Sequence, residues 1–210
     1  MISKDRKTKL ITCQKKLGYP FKNITLLNQA LTHKSFVNEN NRKYKDNERL
    51  EFLGDSVLDL IIGEYSLKNF KNRMEGDLSK IRAALVNEIN LSKISRSLNL
   101  GENIQLGKGE SLSGGHNKNS ILANTFEAIV AAIYLDGGLK KTARIILPLF
   151  KTDLHHLANT SSYRDFKSEL QEHAQAKKIA IPDYKVEKET GPDHDKIFEV
   201  TVSISGKIVG

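Results

Sequence analysis

The chain has 210 residues, 39% hydrophobic and 28% charged, which is enough for one or two globular domains with real cores. This composition excludes a collagen-like, a disulfide-stapled and a largely disordered chain. The formal net charge of +8 favours polyanionic partners, nucleic acid first among them.

The sequence also indicates where the protein resides. Its one cysteine, Cys13, cannot form an internal disulfide, which fits a reducing compartment. The charged N-terminus has no apolar run behind it and is not a secretory signal. Residues 128–135 are among the longest runs without charge, far short of a membrane span. We therefore expect a soluble, cytoplasmic protein with no membrane association.

Apolar residues recur at steps of three and four through the first part of the chain, which predicts helices. Asp77 is the predicted N-cap of the fourth helix, and Gly137-Gly138 is the predicted end of the fifth. The stretch Gly101–Ser113 is predicted as a loop. It contains Gly107-Lys108-Gly109 without the spacing of a phosphate-binding loop, so no nucleotide cofactor is expected. The predicted helices cover about 6–16, 25–32, 47–66, 77–97, 118–136 and 139–157.

The pattern changes in the last fifty residues. After Pro182 the apolar Phe198, Val200, Val202 and Ile204 alternate with polar residues, which predicts a half-buried strand. A small polar stretch before this region predicts a linker. We divide the chain into an all-helical domain at 1–158, a linker at 159–163 and a second domain at 164–210.

The second domain is predicted to have a helix at about 165–177 and strands near 183–190, 195–204 and 207–210, so the fold class is α+β. One helix cannot cover both the edge and the face of a three-stranded sheet. We therefore expect uncovered apolar surface and a domain that is unfinished at Gly210.

The predicted third helix carries an acidic face. Glu48, Glu51, Asp55 and Asp59 follow one another at steps of three, four and four, so they line one side of a helix whose apolar stripe is elsewhere. A solvated acidic stripe is one interpretation. Against it, no Lys or Arg of the segment is placed to pair Glu51 or Asp55. The apolar stripe is Leu50, Leu53, Val57, Leu60 and Ile61.

Two further features argue against a solvated acidic stripe: a glycine in the same helix and an acid in a second, apolar helix. Gly54 lies in mid-helix, which costs roughly 1 kcal/mol against Ala and implies the close approach of another element. Glu127 stands in a very apolar predicted helix, one turn after Asn124. If Glu127 does not simply face solvent, it needs a partner, because an unpaired buried carboxylate costs several kcal/mol.

One arrangement explains both helices. If Glu48, Glu51 and Asp55 face Glu127 and Asn124, the site consists of hard oxygen ligands, which suit Mg²⁺ or Mn²⁺. Such an ion removes the repulsion among the carboxylates. It also polarises a phosphodiester and lowers the pKa of bound water.

The segment Asn47–Leu58 resembles the signature of the ribonuclease III family. The blocks Leu31–Phe36, Glu75–Lys80, Thr125–Ala128 and Ala131–Gly138 agree with it. The resemblance implies a homodimeric, magnesium-dependent endoribonuclease that cuts both strands of double-stranded RNA in rRNA and mRNA processing. The expected products carry 5′-phosphates and short 3′ overhangs.

The resemblance also implies roles for individual residues. Glu51 and Glu127 correspond to magnesium ligands, Asp55 to the essential acid beside them, and Glu48 to a supporting carboxylate. Catalysis would rest on Asp55 and Glu127. Phe52 corresponds to an aromatic residue of the dimer interface, although an ordinary core phenylalanine is an equally good interpretation of the sequence.

One position departs from the family. Its members usually carry Asp where Asn124 stands, as a metal ligand. A neutral amide oxygen leaves the geometry possible but removes one negative charge, so we expect weakened magnesium binding and weakened cleavage. The alternative is a catalytically impaired double-stranded RNA-binding protein.

The second domain resembles a double-stranded RNA-binding domain, α-β-β-β(-α), without its last helix. Such domains contact successive minor grooves and the phosphates between them. Gln171 and Glu172 correspond to residues facing one groove, and His194 lies in the block that corresponds to the loop entering the next. A solvated loop histidine is the alternative for His194. Without the last helix, we expect marginal stability and weak RNA binding.

Overall fold

The protein is described from a computed structural model, which defines residues 2–40, 44–154, 166–190 and 196–210. The chain divides into two compact units, Met1–Thr160 and Ser161–Gly210. The first is mostly helical and the second contains a three-stranded antiparallel sheet, so the α+β class is confirmed. The predicted linker at 159–163 lies outside the described residues.

The first unit is built from short and long helices joined by tight turns. Its two longest helices, α4 and α8, pack against each other, and they carry the predicted site. The helices are α1 Lys4–Leu17, α2 Ile24–Ala30, α3 Lys34–Glu39, α4 Glu48–Asn69, α5 Glu75–Leu85, α6 Glu88–Ser97, α7 Lys108–Leu112, α8 Asn119–Gly137 and α9 Leu139–Ile146.

Helix α8 is the centre of the first unit. It contacts α2, α4, α6 and α9, and eleven of its side chains are buried. By length and composition alone α8 could cross a membrane, but 61% of its apolar window is buried inside the unit. Its apolar character is therefore that of a core helix surrounded by other helices.

Some predicted boundaries in the first unit are wrong. The predicted helix 77–97 is two helices, because Asn87 caps a new helix by accepting a hydrogen bond from the Asn90 amide at 2.9 Å. Asp77 is not an N-cap; it lies in the first turn of α5, where its charge favours the helix dipole. Short helix α7 occupies part of the predicted loop.

The end of α8 is as predicted. Gly137 is its last residue, and Gly138 follows with φ +78°, a conformation that glycine adopts without strain. Helix α9 is shorter than predicted because a 3₁₀ turn, Leu147–Phe150, follows it and contains Pro148.

The second unit contains α10 Phe166–Ala176 and strands β1 Asp183–Thr190, β2 Ile197–Ile204 and β3 Lys207–Ile208, close to the predicted elements. The order is β1-β2-β3, with both pairs antiparallel. Ser205 and Gly206, at φ 51° and 76°, form the two-residue turn between β2 and β3.

The burial of β2 differs from the prediction. Val202 and Ile204 are half-buried, whereas Phe198 and Val200 are 51% and 43% exposed. Ile197 and Ile208 of the same sheet, and Val209 after it, are exposed as well. The expected uncovered apolar surface is therefore present in the described part of the unit.

Candidate active site and RNA-binding residues

Helices α4 and α8 approach most closely at Gly54. A Cβ atom added to Gly54 would lie 1.8 Å from the backbone oxygen of Glu127, so only glycine allows this contact. The predicted close approach at Gly54 is therefore confirmed, and its partner is the backbone of the residue expected to be catalytic. The crossing fixes the Glu127 backbone against the acidic face of α4.

Glu127 is half-buried at this crossing. Burial, the largest cause, and the neighbouring charges of Asp55, Glu51 and Asp59 together raise the pKa of its carboxyl to about 7. Carboxylates from the two helices therefore face one another closely enough to repel. The charges of Glu51 and Asp55 act on Glu127, as the arrangement expected from the sequence requires.

Asn124 joins the same group. Its side-chain amide hydrogen-bonds to the Glu51 carboxylate and lowers the pKa of Glu51, while burial and the charge of Glu48 raise that pKa, with a net increase. Asn124 thus stabilises the charged form of Glu51 within a group of acids. An aspartate at position 124 would replace this hydrogen bond with another repulsion.

The two ends of the acidic face are neutralised by side chains that the sequence analysis missed. Lys34 Nζ lies 2.9 Å from Glu48 Oε1, and Arg82 Nε lies 3.7 Å from Asp59 Oδ2. Lys34 belongs to the block Leu31–Phe36, which agrees with the family signature. That agreement was the one feature of the sequence that could have pointed to a role for Lys34.

The centre of the acidic face is not neutralised in this way. Across the described ranges, no Lys or Arg forms an ion pair with Glu51, Asp55 or Glu127. The central acids therefore carry an excess of negative charge, whereas the acids at the ends have partners.

The central donors fit a hard divalent cation by their chemistry. They offer carboxylate oxygens from Glu51, Asp55 and Glu127 and an amide oxygen from Asn124, and a cation would relieve their repulsion. Among the described residues, however, no group of three His, Cys, Asp or Glu side chains is already arranged to hold a metal. The side chains would have to converge further around an ion.

Phe52 is not a core residue, because 79% of it is exposed. Leu60, predicted in the apolar stripe, is also 55% exposed, whereas Leu50, Val57 and Ile61 are buried as predicted. Helix α4 therefore presents apolar side chains to solvent beside its acidic face. Near its first turns a cavity of about 670 Å³ is lined by charged and polar side chains as well as by the apolar Leu50, Leu53 and Leu135.

A carboxylate of the protein itself, that of Glu39, binds the Gly107-Lys108-Gly109 segment. Both carboxylate oxygens of Glu39 accept hydrogen bonds from this segment, from the Lys108 amide at 2.8 Å and the Gly109 amide at 3.5 Å. These backbone donors, which would otherwise be available to a phosphate, are already satisfied by the fold.

The structure describes one of the three predicted RNA-binding residues of the second unit. Gln171 is exposed on α10. Glu172 lies on the same helix, but its side chain is outside the described part, and His194 lies outside the described residues altogether.

Comparison with family models covers both units. The model described as Ribonuclease-III-like matches residues 23–154. The chain belongs to the ribonuclease III family. The model described as double-stranded RNA binding motif matches residues 166–210, which include α10 and the three strands. The Ribonuclease-III-like match at residues 23–154 includes α4 and α8, so the acidic site lies within the part of the chain that resembles the family.

Curated relatives support the same family over nearly the whole chain. Ribonuclease 3 of Treponema denticola is 44% identical over 98% of this chain and 83% of its own length. Ribonuclease 3 of Caldanaerobacter subterraneus subsp. tengcongensis is 46% identical over 94% of this chain and 86% of its own. This ribonuclease III family member is an endoribonuclease with an RNA-binding motif.

Solved structures agree. The nuclease domain of ribonuclease III from Campylobacter jejuni, described for structural flexibility in the region involved in dimer formation, is 49% identical. It covers 67% of this chain and 95% of its own, with a TM-score of 0.63. Dicer from Pichia stipitis is 26% identical over 91% of this chain and 85% of its own, with a TM-score of 0.52.

Proposed function

We propose that the protein is a magnesium-dependent endoribonuclease specific for double-stranded RNA. It cuts both strands and leaves 5′-phosphates and short 3′ overhangs during rRNA and mRNA processing in the cytoplasm. The observation that carries the proposal is the convergence of Glu51, Asp55, Asn124 and Glu127 at the Gly54 contact. A protein that only bound RNA would gain nothing from unneutralised acids facing a polyanion.

The residues of the site divide the work. Glu51, Asn124 and Glu127 would hold Mg²⁺, with Mn²⁺ as a substitute. The bound ion supplies charge neutralisation at the phosphate and an activated water. Asp55, which is exposed next to Glu127, would be the essential acid beside the ion. Glu48, already paired with Lys34, would support the rim of the site.

The second unit supplies RNA contacts in this proposal. Gln171 and Glu172 of α10 would face one minor groove and His194 the next, as in other domains that recognise A-form geometry. The exposed position of Gln171 supports this assignment.

We further propose that the protein acts as a homodimer through α4. Phe52 is exposed on α4, and a twofold interface brings the same surface of both copies together. Burying Phe52 against the partner would remove a large exposed aromatic surface from water.

Asn124 favours a second candidate, a double-stranded RNA-binding protein with little cleavage activity. The amide binds Glu51 and contributes no charge, so the site has one negative charge fewer than the usual family site. The two candidates differ only in the chemical step, because both bind duplex RNA.

A cleavage assay separates these candidates. End-labelled duplex RNA is incubated with the protein in Mg²⁺, Mn²⁺ or EDTA, with single-stranded RNA and duplex DNA of the same sequence as controls. The nuclease proposal expects cleavage of duplex RNA alone, abolished by EDTA. Binding of duplex RNA without products at any metal concentration would support the second candidate.

Replacing Asn124 with Asp tests the role of the amide. We expect Asn124→Asp to increase the cleavage rate at limiting Mg²⁺ by about tenfold or more, because a third carboxylate ligand would bind the ion more strongly. The same change should lower stability in EDTA, because it replaces the hydrogen bond to Glu51 with repulsion. The measurements are single-turnover rates over a magnesium titration and thermal unfolding in EDTA. Equal rates for both proteins at limiting Mg²⁺ would contradict the assignment.

A further inference from the structure

The outer face of α1 is strongly basic. The helix contains six basic side chains and one acid, Asp5, while Leu10, Cys13 and Leu17 bury its inner face. Lys4, Lys7, Lys9 and Lys15 are exposed; Lys4 and Lys15 lie on one line along the helix, with Lys7 and Lys9 on opposite sides of it, and we call these four residues the α1 lysine ridge. From Lys4 to Lys15 the ridge extends about 16 Å at the rise of an α-helix.

The ridge lysines are left without partners by the fold. None of the four forms an ion pair or a hydrogen bond through its side chain with any residue in the described ranges. Elsewhere exposed lysines do find carboxylates, as Lys34 does at Glu48 and Lys118 does at Glu110. The positive charge of the ridge is therefore available to an external group.

Two of these lysines oppose the stability of their own helix. Lys4 and Lys7 lie in the first turn of α1, where the positive end of the helix dipole disfavours a cation. Acidic side chains are the ones that stabilise the N-terminal turn of a helix. A conflict between local preference and sequence is typical of positions that serve binding.

Arg6, which is partly buried on the inner side of α1, adds positive charge close to the ridge. Its guanidinium donates to neutral acceptors, to Asn28 Oδ1 at 2.8 Å, the Asn103 carbonyl at 2.6 Å and the Leu31 carbonyl at 3.4 Å. Burial lowers the pKa of Arg6 to about 10, so the group remains charged near neutral pH. The fold thus holds a cation beneath the ridge on acceptors that carry no compensating charge.

We propose that the α1 lysine ridge binds the phosphate backbone of RNA at a place separate from the acids of α4 and α8. Helix α1 packs on α2 and on the 3₁₀ turn Gly101–Asn103, whereas the acids lie on α4 and α8. This inference rests on the proposed function, since it takes RNA as the substrate. An anionic lipid surface fits less well, because the apolar side of α1 is already buried and Ile11 is only 38% exposed.

The test compares charge-matched double variants of the full chain. Lys4→Gln/Lys15→Gln removes two ridge charges without a helix-breaking residue. Lys71→Gln/Lys93→Gln removes the same charge from exposed lysines that also lack ion pairs among the described residues. Lys4→Arg/Lys15→Arg keeps the ridge charge. Each is measured for binding to a long RNA duplex in EDTA over a salt series, and for single-turnover cleavage at saturating RNA.

The ridge proposal expects a specific pattern. Lys4→Gln/Lys15→Gln should bind about 3- to 10-fold more weakly and reduce the slope of log affinity against log salt by about 2. The Arg variant should bind like the wild type, the Lys71/Lys93 variant should change less, and the saturated cleavage rate should be the same in all.

Other results would overturn it. If the wild type binds and cuts RNA while the ridge variant and the Lys71/Lys93 variant bind equally, the ridge is a solvated surface and the proposed function stands. If the ridge variant loses only binding to vesicles of anionic phospholipid, the occupant is lipid. If the wild type neither binds nor cuts RNA, the proposed function fails, and this inference fails with it.

Discussion

The two units of the molecule use their apolar residues in opposite ways. In the described residues, every buried apolar side chain except Ala174 and Pro182 lies in the first unit, around α8. The second unit instead exposes apolar side chains on its sheet, including Ile197, Phe198 and Ile208.

This difference follows from what each unit has to position. The acids of α4 and α8 repel one another, so only a closely packed core can hold them together against that repulsion. Recognition of duplex RNA by shape needs exposed side chains on a stable backbone and tolerates a smaller core. The expected marginal stability of the second unit stays a prediction.

The largest expected effect concerns chemistry in the first unit. Glu127→Gln should reduce cleavage by about 10²- to 10³-fold, because the site would lose one of the carboxylates proposed to hold the ion that stabilises charge at the phosphate. Binding of duplex RNA should be unchanged. Glu88→Gln, at an exposed acid of α6, is the control. Cleavage rates near the wild-type value for Glu127→Gln would place the chemistry elsewhere.

The contrast in burial can be measured with the same substitution in both units. Ile129→Ala should destabilise the first unit by about 2–5 kcal/mol, because the side chain is fully buried on α8. Ile197→Ala, at a side chain 64% exposed on β2, should change stability by less than about 0.5 kcal/mol. Chemical denaturation with probes in each unit gives both values. Similar losses at the two positions would show that the second unit has a core of its own.

The closeness of α4 and α8 can be tested with two glycines of one helix. Gly54→Ala should destabilise by about 1–3 kcal/mol and reduce cleavage, because the new Cβ would overlap the Glu127 backbone. Gly63→Ala has open space and should stabilise by up to about 1 kcal/mol. If both variants gained stability, α4 and α8 would be less tightly packed than described.

A smaller effect is expected where α8 ends. Asp136 accepts hydrogen bonds from the Tyr19 hydroxyl at 2.8 Å and from the amides of Lys22 at 3.0 Å and Asn23 at 2.8 Å. Although burial acts in the opposite direction, these bonds hold the pKa of Asp136 below its usual value. Its contribution to stability is therefore complete above about pH 4 and is lost as the pH falls through the lowered pKa.

Asp136→Ala measures this contribution. We expect a loss of about 1 kcal/mol at pH 7, allowing for solvent screening of a partly exposed group, and a smaller loss at pH 3. Urea unfolding at both pH values gives the comparison, with Tyr19→Phe removing one of the three bonds. An equal loss at both pH values would mean that the charge of Asp136 contributes nothing.

The amino-acid sequence by itself determined the features that depend on local periodicity. The helical and strand patterns, the acidic face of α4 and the glycine stop after α8 all repeat over a few residues, so they can be predicted without knowing the packing. Gly54 also predicted a tertiary contact, because a residue that is unfavourable in mid-helix indicated a close neighbour. The family signature supplied roles for Glu51, Asp55 and Glu127, which stay predictions.

Only the tertiary structure decided which side chains meet across helices. It placed Lys34 and Arg82 at the two ends of the acidic face, exposed Phe52 and Leu60, and joined Glu39 to the Lys108 amide. These partners are far apart in the chain, and their meeting depends on the angles at which helices cross. Charge and periodicity along one helix carry no information about those angles.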